Sequence, residues 1–150
     1  EKYLIKLERQ LELEENMQSN VGIVRNAELL SEGINKLENL KESYKEVKAN
    51  GASQYNPGWH EALALRNLMI TAESVARAAL MREESRGAHT RVDFPGEQDE
   101  WLQSNVVTYK GDDGKMVAKK IDREKPNPEL ERIANLSIDE LEKEVTGEGN

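Results

Sequence analysis

Leucines recur at three- and four-residue steps from the start of the chain. Leu4, Leu7 and Leu11, with Met17 extending the row, alternate with Lys6, Glu8, Arg9, Glu12 and Glu14, a stripe-and-solvent pattern that predicts an amphipathic helix over about residues 3–18. Val21-Gly22-Ile23-Val24 interrupts it with β-formers and a glycine, and Asn26 is placed to cap a second helix with Glu28 in its first turn. That helix carries Leu30, Ile34, Leu37, Leu40, Tyr44 and Val47 on one side and is expected to reach about Ala49, where Asn50-Gly51 tolerates the left-handed backbone of a helix end. A third helix begins near Pro57, whose missing N–H costs nothing in a first turn. It carries Leu65, Leu68, Met69, Ala72, Val75, Ala76, Ala79 and Leu80; if it persists to Glu84 it has ~28 residues and a length of ~42 Å.

Three long amphipathic segments with short links fold most simply as an antiparallel three-helix bundle of the spectrin-repeat kind, so the expected class is mainly α. Alanines 62, 64, 72, 76, 78 and 79 are spread around much of the third helix, as for a helix approached by more than two neighbours, although alanine's helix propensity alone also explains them. Beyond Pro95 the pattern changes. Val106–Tyr109 and Met116–Ala118 flank Gly111-Asp112-Asp113-Gly114, which predicts a short β-hairpin. Pro126-Asn127-Pro128 signals a linker, and Ser137 and Glu140 have the spacing of a capping box for a short last helix. Residues 147–150 are expected to be disordered. The organisation expected is therefore a bundle with its closing turn over 1–95, an extended segment and hairpin over 96–125, and linker, short helix and loose end over 126–150. Because Glu1 already stands inside a helical pattern, the chain reads as a piece of something longer.

Composition narrows the function classes. Of 150 residues, 33% are charged, and 21 basic against 29 acidic side chains give a net charge of −8. An acidic surface argues against nucleic-acid or anionic-membrane partners, which require clustered cations. Cysteine is absent, which removes disulfides, thiolate nucleophiles and cysteine-ligated metal. No apolar run approaches the ~20 residues of a membrane span.

Candidate chemistry gathers in one place. His60 and His89 lack a carboxylate cluster at ligand spacing, and His60, beside Trp59 at the start of the third helix, reads as a packing or capping residue. No glycine-rich phosphate loop occurs. Glu83 and Glu84 are neighbours on a helix, so they face different ways and read as a solvated charge run. The turn after the third helix is different: Arg82, Arg86 and Arg91 stand beside His89 and Asp93, Gly87 offers a left-handed reversal, and Phe94-Pro95 fixes an extended exit. Spacing alone leaves two alternatives open, a self-satisfied salt-bridged helix terminus and a surface for something else.

Arg82-Glu83-Glu84-Ser85-Arg86-Gly87-Ala88-His89-Thr90-Arg91-Val92-Asp93-Phe94-Pro95, followed by Asp99-Glu100-Trp101-Leu102, resembles the C-terminal region of the flavoprotein subunit of succinate dehydrogenases and fumarate reductases. Asn16–Arg25 is similar to that family's helix-linking segment, and Leu65–Leu68 with Glu73–Leu80 to its long helix. The resemblance covers about residues 1–120 and fades after Asp122, where the family's Pro-rich ending closing on Arg-x-Tyr is replaced by a capped acidic helix. L-aspartate oxidase and the adenylylsulfate reductase flavoprotein carry related versions of the turn, and a non-enzymatic three-helix module is the reading without the resemblance.

The resemblance implies a division of labour. FAD belongs to an N-terminal domain absent from this chain, so no catalytic, cofactor-binding or metal-binding residue is expected here, and the chain alone should be inactive and colourless. The family reaction moves a hydride between succinate or fumarate and FAD and passes electrons to an iron–sulfur subunit. Membrane-anchor subunits would place the assembly on the cytoplasmic face of the cell membrane, with no nucleic acid and no direct insertion of this chain. Arg82, Arg86, His89, Arg91 and Asp93 are then expected to form a docking face toward the flavin domain, mobile when that domain is absent.

Overall fold

The computed structural model describes residues 2–49, 51–52 and 54–147, with side chains from Lys6 onward. Three long helices pack up, down and up: α1 (Lys2–Asn20), α2 (Ala27–Tyr44) and α3 (Pro57–Met81). Their order in space shows in the cross-links. Lys6 of α1 pairs with Glu61 near the start of α3, whereas Tyr44 at the end of α2 donates its hydroxyl to the Ala62 carbonyl at 2.7 Å. The antiparallel bundle expected from periodicity is present. Its core joins Leu30, Ile34, Leu37 and Leu40 of α2 to Leu65, Met69, Ala72, Ala76 and Ala79 of α3, with Leu13 and Val21 from the α1 side.

α1 departs from expectation. Leu7 and Leu11 lie 40% and 55% exposed, while Lys6, Leu13, Asn16 and Asn20 are buried. The Leu7–Leu11 side thus faces outward and a mostly polar row faces α2 and α3. Two features decide this. Asn16 donates to the Gly33 carbonyl at 3.0 Å and its own side-chain oxygen accepts from Asn20 at 2.8 Å, so the buried amides are satisfied. Gly33 also lets the helices meet closely, since a Cβ there would stand 3.0 Å from both the Asn20 Cβ and a Val21 methyl.

Helix ends are set by caps. The Asn26 side chain accepts from Leu29 N at 2.8 Å, as expected, and Asn56 accepts from Trp59 N with Pro57 following it. α2 stops at Tyr44, short of Ala49: the amides of Lys45, Glu46 and Val47 bond three residues back instead of four, which tightens and ends the helix. Gly51 has the left-handed backbone expected (φ 87°), while Asn50 lies outside the described residues. α3 also ends early, at Met81 instead of Glu84, because Arg82 turns extended (φ −80°, ψ 106°) and the next residues are committed to the turn described below. On its outward side Leu68, Ile70 and Val75 are 43–49% exposed, so only part of its apolar circumference is covered.

Two small sheets complete the structure. β1 (Val24–Arg25) pairs in parallel with β2 (Thr90–Arg91). After the short α4 (Asp99–Leu102), β3 (Ser104–Lys110) and β4 (Met116–Asp122) form the expected antiparallel hairpin about Gly111–Gly114, packed on α3 with Ser74 and Thr108 hydroxyls 2.6 Å apart. The Pro126-Asn127-Pro128 segment is a helix start as well as a linker: Asn127 caps α5 (Pro128–Ala134), with Pro128 in its first turn. Ser137 and Glu140 form the expected capping box of α6 (Ile138–Thr146), and Gly147 closes it in the left-handed region. Residues 148–150, part of the stretch expected to be disordered, lie outside the described residues.

Candidate functional site: the turn after the third helix

The turn is built from backbone first. Arg86 and His89 exchange two backbone bonds, Arg86 N to His89 O (2.9 Å) and His89 N to Arg86 O (3.0 Å), around Gly87-Ala88. Gly87 takes φ +57°, so its left-handed freedom serves a two-residue reversal and not a helix end. The chain then runs beside the α1–α2 link: Thr90 N donates to Ile23 O at 3.1 Å and Val92 N to Arg25 O at 3.0 Å.

Arg91 is the keystone. It is 1% exposed, and its Nη1 donates to the carbonyls of Ala79 (3.0 Å), Leu80 (3.0 Å) and Arg82 (3.1 Å), which the last turn of α3 leaves without helical partners. Its Nε and Nη2 donate to the two oxygens of Asp93, each at 2.7 Å, and its guanidinium lies 4.8 Å from the Phe94 ring centre. Asp93 Oδ2 also accepts from Ala27 N, the first residue of α2, at 2.9 Å. One ion pair therefore sets a cation on the C-terminal end of α3 and an anion on the N-terminal end of α2, matching both helix dipoles. The Arg91 hydrogen bonds hold the Asp93 carboxyl well below its ordinary range, against the opposing cost of desolvation.

Glu84 departs from the solvated face expected of it. It is fully buried, accepting from Arg82, from Arg86 at 3.1–3.2 Å and from the Gln98 amide at 3.0 Å. Burial alone would raise its pKa, but these donors outweigh it and lower it to about 2. Glu83 stays exposed. What distinguished the two was the early helix end, because in extended backbone neighbours alternate faces and Glu84 turns inward. Arg86 reaches on to Glu97 at 2.7 Å, and both Arg82 and Lys120 lie over the Trp101 ring.

His89 bridges the same elements in a defined tautomer. Its Nδ1 stands 3.1 Å from Arg25 Nη1 and its Nε2 3.2 Å from the Arg82 carbonyl. A guanidinium only donates and a carbonyl only accepts, so the ring is neutral with its proton on Nε2. Desolvation lowers its pKa first, the Arg82 carbonyl opposes that, and Arg25, Arg91 and Arg82 add repulsion toward a second proton.

The structure thus brings Arg82, Arg86, His89, Arg91 and Asp93 together and adds Arg25, Glu84 and Glu97. Arg82, Arg86 and Arg91 each meet a carboxylate, while Arg25 is held by the Gly22 carbonyl and the His89 ring, and the mobility expected of the turn is opposed by this closure. The arrangement fastens α3, the α1–α2 link and the α2 start into one unit. Around it lies apolar surface: Ile23, Val24 and Val92 are 57–65% exposed. His60 stands apart from this cluster, exposed and packed edge-on against the Trp59 ring, with centroids 5.2 Å apart. Among the described residues no group of three or more His, Asp or Glu side chains has the spacing of a metal site, and no helix is long and apolar enough to cross a membrane.

Known proteins share both sequence and shape. The family model described as fumarate reductase flavoprotein C-term matches residues 10–137, which carries the likeness well past residue 120. One subunit of the fumarate reductase (CoM/CoB) of Methanothermobacter marburgensis is 39% identical over 99 residues, covering 66% of this chain and 18% of that protein. The succinate dehydrogenase flavoprotein subunit of Rickettsia conorii is 35% identical over 111 residues, covering 73% and 19%. Among solved structures, a chain of the Mycobacterium smegmatis Sdh1 complex in the apo form superposes with a TM-score of 0.77 at 35% identity, over 92% of this chain and 24% of that one. The chain spans about a fifth of the length of the curated relatives it matches.

Proposed function

The chain belongs to the C-terminal family of succinate dehydrogenase and fumarate reductase flavoproteins, and from that premise we propose that it works as a buttress for a flavin-binding domain supplied elsewhere in the parent subunit. The FAD, the hydride transfer between succinate or fumarate and flavin, and the electron path to an iron–sulfur subunit belong in this reading to the rest of the assembly. Partner subunits would hold that assembly at the cytoplasmic face of the membrane.

One observation carries the proposal. The charge cluster of the turn is paired from within, with the Arg86 and Arg91 forks and the Glu84 and Asp93 carboxylates occupied, so it offers rigidity in place of a reactive group. The docking face is accordingly the turn that holds Arg82, Arg86, His89, Arg91 and Asp93 together with the exposed Ile23, Val24 and Val92 around it. The cluster fixes the shape and the apolar rim supplies contact area.

Arg86→Ala in the parent subunit tests this, since it removes a partner of buried Glu84. The expected outcome is faster loss of flavin on mild heating, with lower activity in proportion to the flavin lost. Unchanged flavin content and activity would count against the docking role. The 150-residue chain by itself should fold, show no flavin absorbance and oxidise no succinate; bound flavin or succinate oxidation would overturn the buttress reading.

A further inference from the structure

The helices α5 and α6 take no part in the bundle or the turn. Neither contains a buried residue. They are joined to each other through Arg132, which donates to Glu129 of α5 (2.9 and 3.2 Å) and to Glu144 of α6 (2.6 and 3.1 Å). The rest of the chain holds them by a short leash. Arg123 is the last fixed point, bonded to the Gln103 carbonyl at 2.8 Å and the Leu102 carbonyl at 2.9 Å, and Glu124–Asn127 follow without regular structure, a reach of roughly 13 Å.

At seven and nine residues, these helices are shorter than the ~12–15 that persist alone in water, even with a capping box. Their sequence nevertheless carries an apolar stripe. Ile138, Leu141 and Val145 recur at helical spacing, and Leu130, Ile138 and Val145 are 62%, 74% and 87% exposed. Around them, residues 129–144 carry six carboxylates against Arg132 and Lys143, a net charge of −4. An amphipathic helix pair with an uncovered stripe and acidic flanks fits an apolar groove bordered by cations.

We propose that α5–α6 is a docking clip for a basic, apolar-grooved face of a different protein chain in the assembly in which this domain works. The proposal rests on the reading above of the domain as part of a multi-subunit flavoprotein. Charge chooses among occupants. A second copy would bring another chain of net charge −8, and an anionic lipid surface would meet carboxylates, so both are disfavoured against a cationic protein surface. The shared family pattern includes α5 and ends at Ser137, one residue before α6 begins.

The test compares the 150-residue chain with the assembly purified through the parent subunit. Amide hydrogen exchange over residues 128–146 should be fast in the chain alone and at least a hundredfold slower in the assembly. Carbodiimide, which joins carboxylates directly to neighbouring lysines, should link Glu140, Glu142 or Glu144 to a lysine of another chain. Ile138→Asp/Val145→Asp should cut that product at least tenfold and restore fast exchange. Both positions are exposed, so an unchanged melting temperature of the isolated chain confirms that the bundle is intact. Fast exchange of 128–146 in the assembly, or cross-links confined to this chain or to copies of it, would overturn the proposal. Flavin absorbance of the same assembly reports the parent reading separately, so an assembly that holds flavin but leaves α5–α6 unprotected defeats the clip alone.

Discussion

The bundle core and the turn beneath Arg91 are both buried, yet they are held by opposite means. Between α2 and α3, Leu30, Leu37, Leu65 and Ala76 are at most 1% exposed and specify little beyond volume and periodicity. At the turn, Arg91 and Glu84 are buried just as deeply and are held by directed bonds, each to a group that would be costly to leave alone. An apolar core forgives substitutions that keep its volume, whereas a charged one fails when a single partner is removed, because the other remains buried and unpaired. The comparison locates the charged residues of the turn in a part whose geometry tolerates the least change.

The sharpest way to break the comparison is Arg91→Leu. It should lower the unfolding free energy in urea by about 3 to 5 kcal/mol, since it leaves the Ala79 and Leu80 carbonyls without a donor and takes both guanidinium bonds from Asp93. Leu37→Ala should cost about 3 kcal/mol through transfer and cavity terms. If Arg91→Leu proved nearly neutral while Leu37→Ala did not, the turn would be decoration on an ordinary bundle. Next comes Glu84→Gln, which keeps the shape and loses the charge, with an expected cost of about 2 kcal/mol at neutral pH. Because the folded-state carboxyl is lowered from 4.5 to about 2, its stabilisation is full above 4.5 and lost as pH falls toward 2. Glu84→Gln should therefore flatten the acid limb of a stability-versus-pH curve.

The smallest effect belongs to His89. Its folded pKa lies below the ordinary 6.5, so the unfolded chain takes up a proton first and stability declines as pH falls below 6.5. The slope from this group stays under about 1.4 kcal/mol per pH unit. His89→Gln should remove that component below about pH 6.5 while leaving the Glu84 limb in place. An unchanged slope in the variant would mean that the ring is not desolvated among its neighbours as described.

Periodicity and capping made most of the fold legible. Asn26, the hairpin about Gly111–Gly114 and the Ser137–Glu140 box are local signals, and each stands where its chemistry places it. What escaped was decided by distant partners. Nothing within α1 shows that Asn16 finds the Gly33 carbonyl and so turns Leu7 and Leu11 outward. At the turn, the sequence showed that Arg82, Arg86, His89, Arg91 and Asp93 lie close together, but not which way they point. Their inward direction follows from the carbonyls of Ala79, Leu80 and Arg82 at and just past the end of α3 and the first amide of α2, groups brought together only once the helices are packed. Glu84 carried one available clue, its position two residues from both Arg82 and Arg86, which in extended backbone sets all three on one face. α5 was hidden by its prolines, which read as a linker although Pro128 suits a first helical turn.

Native-state hydrogen exchange of the turn tests most directly whether it is a closed structural lock. The amides of Arg86, His89, Thr90 and Val92 donate to backbone carbonyls within the turn and to the α1–α2 link. In the 150-residue chain they should exchange as slowly as the amide of Leu37 in the bundle core, within about tenfold, because they open only when the whole domain opens. Exchange as fast as that of the α6 amides would contradict the account and return the turn to a mobile surface awaiting its partner.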